Sequence, residues 1–159
     1  MSLAPSTAHE QFIRQAISLA RRAREEGNHP FGALLALDGE VVLTATNSVN
    51  TDRDPTGHAE TNLVARAVQQ LAPDQLRRAI LYTSCEPCAM CVGKMYWAGI
   101  RSVVYALAAE ELAVLAGPDF LVPCRELFAR ATETVTVIGP ISSDEARAVH
   151  AGFWPPPAA

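Results

Sequence analysis

Three metal-binding side chains split between two distant stretches constrain this chain more than any other feature. His58 is followed two residues later by Glu60, and Cys88 and Cys91 come thirty residues on, behind Pro87. One imidazole and two thiols suit a zinc ion, and three protein ligands leave a fourth position open for water. The intervening chain must therefore leave the first stretch and return to it. Cys88 and Cys91 are three residues apart, so on a helix they share a face. Pro87 is expected to open that helix, where unpaired N–H groups and the helix dipole favour thiolate. His58 is expected in the first turn of a helix of its own, so two helix N-termini would converge on one ion. Glu60 does not share the face of His58 and is left as a spare carboxylate, suited to carrying a proton. A plainer reading is a closed zinc clip with Cys85 or Cys124 as fourth ligand, but it leaves Glu60 without a role. Cys85 precedes Pro87 and reads as a buried or near-site thiol. Cys124 reads as a plain apolar residue.

Hydrophobic periodicity supplies the elements around these residues. Phe12, Ile13, Ala16, Ile17 and Ala20 recur at helical spacing, predicting a helix from about Ala8 to Glu26 that stops at Gly27. Phe31–Leu37 and Glu40–Thr46 are β-type runs joined by Asp38-Gly39, a tight hairpin signal. Asn47–Asp54 reads as a loop. Asp54 and Pro55 predict the cap and first residue of a helix running to about Gln70, with Pro73 beyond its end. A strand over Ala79–Ser84, the cysteine-bearing helix to about Ala98, a strand over Ser102–Leu107 and a short helix over Glu110–Leu115 follow. Pro118–Pro123 is expected as a loop and Thr134–Ile138 as a last strand. A helix capped by Ser142 or Ser143 is expected to reach Phe153. Strands alternating with helices predict a three-layer α/β/α fold. The hairpin makes its sheet mixed, because only the later strands are separated by crossover helices.

The 159 residues suit one domain over 1–159, with a core of about 8–154 and a loose tail from 155. A net charge of −4 argues against a large nucleic-acid-binding face. Three of the four cysteines lie within seven residues, a pattern of metal binding more than of disulfides. With no basic-then-apolar leader and no apolar run of membrane-spanning length, a cytoplasmic location without membrane contact is expected.

His-x-Glu followed by Pro-Cys-x-x-Cys is the known signature of zinc nucleobase deaminases. The chain resembles the cytidine deaminase-like superfamily beyond that motif, over roughly Ala8 to Ala116. Pro30-Phe31-Gly32-Ala33, Asp54-Pro55-Thr56-Gly57-His58-Ala59-Glu60, Tyr82-Thr83-Ser84-Cys85-Glu86-Pro87-Cys88-Ala89-Met90-Cys91 and Tyr96-Trp97-Ala98 stand in the family's order. The resemblance implies a five-stranded mixed sheet between helices, one zinc per subunit held by His58, Cys88 and Cys91, Glu60 as catalytic proton carrier, and homodimers or larger assemblies. Within the superfamily the chain is most similar to bacterial guanine deaminases, which implies hydrolysis of guanine to xanthine and ammonia. That likeness gives Asn47 to the purine, Phe31 and Trp97 to its faces, and Asp119 to its amino edge. Each has a plainer role open: a turn for Asn47, core packing for Phe31 and Trp97. His29 would line the mouth or sit in a surface loop. The family's closing tyrosine has no counterpart in His150-Ala151-Gly152-Phe153-Trp154, so Phe153 or Trp154 is left either as a lid or as an anchor of the last helix. The alternatives are a tRNA adenosine deaminase, disfavoured by charge; a deaminase of cytosine, a guanosine-type nucleoside, a pterin or an aminotriazine; and a non-enzymatic zinc module.

Overall fold

The computed structural model describes residues 7–156. Its frame is one five-stranded mixed sheet, ordered β2-β1-β3-β4-β5. Helix α1 (Thr7–Glu25) leads into the hairpin of β1 (Gly32–Leu37) and β2 (Glu40–Thr46). The turn carries Asp38 and Gly39 at φ 51° and 85°, the left-handed pair a two-residue hairpin demands. Then come α2 (Ala59–Gln70), α3 (Pro73–Arg78), β3 (Ile80–Cys85), α4 (Ala89–Ala98) and β4 (Ser102–Leu107). The chain closes with α5 (Ala109–Ala116), α6 (Cys124–Phe128), β5 (Thr136–Ile138) and α7 (Ser143–Val149). β1 runs antiparallel to both β2 and β3, whereas β3–β4 and β4–β5 are parallel. Each parallel pair is joined through helix, as a crossover requires.

Side-chain alternation divides the core into two layers. Ala33, Leu35, Leu81, Val103 and Tyr105 face α2, α4 and α6, while Leu34, Ala36, Tyr82, Val104 and Ala106 face α1 and α7. The three central strands are buried on both faces and read as nearly continuous apolar runs. β2, at the edge, alternates between exposed and partly buried positions. Gly32 permits the closest approach between layers: a Cβ there would lie 2.5 Å from the Ala20 nitrogen and from Leu19 Cβ.

Four expectations need correction. Asp54 does not cap α2; its Oδ1 accepts from the Thr56 N–H at 2.9 Å and the Thr56 hydroxyl at 2.7 Å, closing a local turn. The helix starts four residues later than expected, at Ala59, with His58 as its N-cap. Pro73 does more than follow a helix end, because it is the first residue of α3, whose Gln75 side chain accepts the Ala72 N–H at 2.8 Å. A further short helix, α6, interrupts the stretch before β5. The last helix ends at Val149, and Gly152, at φ 69°, turns the chain back on itself. Of the expected tail, residues 157–159 lie outside those described. Among the described residues, no helix is long and apolar enough to cross a membrane.

Candidate metal centre

His58 and Cys88 occupy the same structural position on two neighbouring helices. Each is an N-cap with extended backbone: φ −71°, ψ 151° for His58 and φ −70°, ψ 173° for Cys88. Neither uses its side chain as a cap, so both side chains are free to point between the helices. Their carbonyls accept the first helical bonds, from Asn62 and Val92, both at 2.9 Å. The positive ends of two helix dipoles therefore face one point and favour thiolate there. The loop before His58 is fastened to the sheet: Asn62 Nδ2 donates to the Thr46 carbonyl at 3.0 Å and to Ser48 Oγ at 2.9 Å. Gly57 lies so close to Ser48 that a Cβ would meet its Oγ at 2.8 Å.

The three ligand atoms form a near-equilateral triangle. Cys88 Sγ lies 3.6 Å from His58 Nδ1, Cys91 Sγ 3.7 Å from the same nitrogen, and the two sulfurs are 3.7 Å apart. Zinc bound tetrahedrally with bonds of about 2.3 Å to sulfur and about 2.0–2.1 Å to nitrogen requires edges of roughly 3.6–3.8 Å. The residues fit the ion, and among the described residues they are the group able to hold one. The Cys88 thiol is lowered to about 4, first by its hydrogen bond with Cys91 and then by that with His58. Cys91 is pushed up by the same bond and by burial. His58 is raised, chiefly through its bond to Cys88. Metal binding must displace these protons, which couples affinity to pH.

Glu60 stands beside the triangle rather than in it. It is buried, one carboxylate oxygen 3.6 Å from Cys91 Sγ and the other accepting the Thr83 hydroxyl at 2.6 Å. Burial pushes its carboxyl up, against the pull of the Thr83 hydrogen bond. Thr83 Oγ also lies 3.0 Å from the Cys85 carbonyl. Its single proton thus has two acceptors, and the hydroxyl can serve Glu60 in either protonation state: it donates to the carboxylate, or it accepts from the acid and turns to the carbonyl.

The start of β1 lies between the end of β2 and the end of β3, which brings Phe31 and Asn47 to this edge of the sheet. The Asn47 N–H donates to the Phe31 carbonyl at 3.0 Å, and the Ser48 N–H to the Gly57 carbonyl at 2.8 Å. The Asn47 side chain is buried, and its Oδ1 accepts the Val49 N–H at 3.0 Å. That bond fixes the amide and leaves the nitrogen as the donor with no partner among the described residues.

An aromatic cluster from the C-terminus covers the same edge. His29 meets Phe153 and Trp154 edge-on, with ring centres at 5.8 and 5.4 Å, and Phe31 meets His150 and Trp154 at 5.4 and 6.1 Å. Trp154 Nε1 donates to His150 Nδ1 at 3.0 Å. Arg24 fastens the segment to α1 through the carbonyls of Val149 and Ala151, both at 2.7 Å, and its guanidinium lies over Phe153. His29 is lowered, first by burial and then by the nearby His58. His150 is lowered to about 4, by burial and then by Arg24.

Two expected residues are not brought here. Trp97 lies six residues after Cys91 on α4, about two-thirds of a turn round from it on the helix surface. It is 87% exposed and packs edge-on against Tyr96, beside Arg77 and Glu133. It does not wall this site within its own chain. Asp119 is exposed in the loop between α5 and α6, and its carboxylate makes no hydrogen bond or ion pair among the described residues. Cys85 and Cys124 are buried free thiols outside the ligand group. Thr83, Glu86 and the bond from Trp154 to His150 were not singled out by the sequence as parts of one site. Thr83 had a signal, standing two residues before Cys85 on a strand that must end at the metal. Phe153 and Trp154 were open as a lid or an anchor of the last helix, but their contact with His29 and Phe31 had no signal, because nothing local relates residue 154 to residue 29.

Residues 6–107 match the family model described as the cytidine and deoxycytidylate deaminase zinc-binding region. The chain belongs to that family and is a zinc-dependent deaminase, a hydrolase. Among its relatives is a probable cytosine deaminase of Schizosaccharomyces pombe, 36% identical over 148 residues and 90% of each chain. A guanine deaminase of Bacillus subtilis is 44% identical over 106 residues, 66% of this chain and 68% of that one. A structure from a study of A-to-I editing by tRNA:A34 deaminases at the wobble position superposes with a TM-score of 0.72 at 30% identity, covering 87% of this chain and 98% of that one. The family fixes the chemistry, and its members divide over the ring that undergoes it.

Proposed function

We propose that this chain hydrolyses a free purine base, converting guanine and water to xanthine and ammonia. The observation that carries the reading is Glu60: a buried carboxyl, raised by burial, beside the His58–Cys88–Cys91 triangle but outside it. When bound, zinc supplies Lewis acidity that makes hydroxide available near neutral pH. Glu60 takes the proton released as the new C–O bond forms and returns it to the amine as the C–N bond breaks. Proton transfer of this kind contributes roughly 10²–10⁴ in rate, most efficiently when the carrier's pKa lies near the working pH. Thr83 keeps the carboxyl oriented in both states. Asn47 offers its free amide nitrogen to an acceptor on the base, and Phe31 with Trp154 offers faces on which a flat ring can stack. Asp119 would read the amino edge once the loop that carries it closes.

A free base is favoured over an anticodon arm by the net charge of −4 and by a C-terminal aromatic cluster packed against His29 and Phe31. The reading includes one domain over the whole chain and a reducing, cytoplasmic setting, which the free thiols suit. It also includes a homodimer, in which the exposed Trp97 would find a partner. The test is ammonia release from zinc-loaded protein across guanine, guanosine, cytosine, cytidine, adenine and tRNA, with Glu60→Ala as control. Guanine should be preferred, and the variant should keep zinc and lose turnover. Preference for any other substrate, or undiminished ammonia from Glu60→Ala, overturns the reading.

A further inference from the structure

Glu86 is a buried carboxylate to which the proposed chemistry gives no part. It follows β3 directly and stands two residues before Cys88. Its own N–H donates to the carbonyl of Leu107, at the end of β4, at 2.8 Å. Its two side-chain oxygens then take two partners far apart in sequence: Oε2 accepts the N–H of Ala109 at 2.9 Å, and Oε1 that of Cys124 at 2.7 Å. Ala109 is the first residue of α5 and Cys124 the first of α6. The whole excursion from 109 to 124 therefore begins and ends on one carboxylate.

That excursion has little else to hold it. α5 contains no buried residue, and Val114, Phe120 and Leu121 are exposed. Leu112 and Leu115 pack partly against the core, and a part-buried Glu111 pairs with Arg147 at 2.7 Å. The segment carries Asp119, and it leaves β4 at the carboxyl edge of the parallel strands, where open α/β sheets take their ligands. Hydrogen bonds to a carboxylate are roughly twice as strong as neutral ones. Two of them, on a residue adjoining the metal-ligating turn, fix where the excursion stands relative to the metal.

We propose that Glu86 is the positioning residue that registers the substrate-reading segment 109–124 against the metal-ligating turn. Discrimination among ring substrates then depends on Glu86, while metal binding and proton transfer do not. The substrate part rests on the purine reading above; the anchoring part does not. Glu86→Gln keeps the size of the side chain but offers one acceptor oxygen, and its amide NH₂ faces the second N–H.

The test combines zinc content, steady-state kinetics and amide hydrogen exchange on zinc-loaded protein. For Glu86→Gln, zinc should remain at one per chain. KM for guanine should rise about tenfold, with kcat within about twofold, and the preference for guanine over adenine should shrink by a similar factor. Exchange should accelerate about tenfold or more across 109–124 and stay unchanged across 88–98. Loss of zinc, an unchanged preference, or unchanged exchange in 109–124 overturns the proposal. If Glu86→Gln does not fold, the wild type decides: the Ala109 and Cys124 amides should be protected while those of Asp119 and Phe120 exchange freely, and equal rates overturn the anchoring. Inactivity of the wild type on every purine defeats the purine reading alone, since exchange in the variant still tests the anchor.

Discussion

Replacing Thr83 by valine removes one hydroxyl and almost no volume, so it isolates the hydrogen bond that orients Glu60. Thr83 is fully buried, and its Oγ lies 2.6 Å from the Glu60 carboxylate. A hydrogen bond to a charged group contributes about 1.5–3 kcal/mol. Since about 1.4 kcal/mol is a factor of ten, its loss should lower turnover roughly 10- to 150-fold through a misplaced, less ionised proton carrier. The direction of the pH effect follows from the same bond. It stabilises the ionised form and holds the Glu60 carboxyl below where burial alone would put it. Without it that pKa rises, and the acid limb of the pH–kcat profile should move to higher pH. Zinc content should be unchanged, and Thr83→Ser, which keeps a hydroxyl, should behave nearly as wild type. The assay is ammonia release from pH 5 to 9 on protein of verified zinc stoichiometry. An acid limb that stays in place, or moves to lower pH, in a zinc-replete Thr83→Val would falsify the orienting role.

Two further predictions concern stability. His150 is buried and neutral, with its pKa lowered from 6.5 to about 4. Its contribution is complete above pH 6.5 and is lost as pH falls from about 6.5 to about 4, reaching about 3 kcal/mol. Trp154 emission and denaturant unfolding, in a Trp97→Phe background, should report this between pH 7 and 4; an identical pH dependence in His150→Phe would exclude this ring as its source. Gly32→Ala puts a Cβ against the α1 backbone and should cost about 1–3 kcal/mol by overpacking. Thermal unfolding should fall by several degrees, and a Tm within one degree of wild type would show that α1 can move away freely.

Local patterns were read correctly where local physics decides. The Asp38-Gly39 hairpin needed only two residues able to take positive φ, and α1, β1, β2 and β4 followed from apolar spacing. The Asp54-Pro55 reading failed because the same short side chain that caps a helix also closes a turn, and the nearer partner, Thr56, took it. Pro73 was read as a stop although proline equally starts a helix. α6 is five residues long, too short for periodicity to register. Within the site, the His58, Cys88 and Cys91 group was legible because ligand type and spacing carry metal binding, and Glu60 stands beside it. Trp97 was misplaced because a helix can carry an aromatic ring on either side. The α4 sequence is apolar nearly all round, so its pattern does not say which side faces the metal.

The sequence by itself determined the family, the ligand set and the order of the strands and longer helices. Those follow from residue types, short spacings and backbone preferences, which act between neighbours. Tertiary structure alone decided the rest. It made both His58 and Cys88 helix caps aimed at one point, paired Thr83 with Glu60, closed the 109–124 excursion on Glu86, and folded Trp154 back over His29 and Phe31. Each of these depends on pairing register and helix packing between residues 23 to 125 positions apart. No local rule specifies such contacts, because they form only when the sheet has brought distant segments to a common edge.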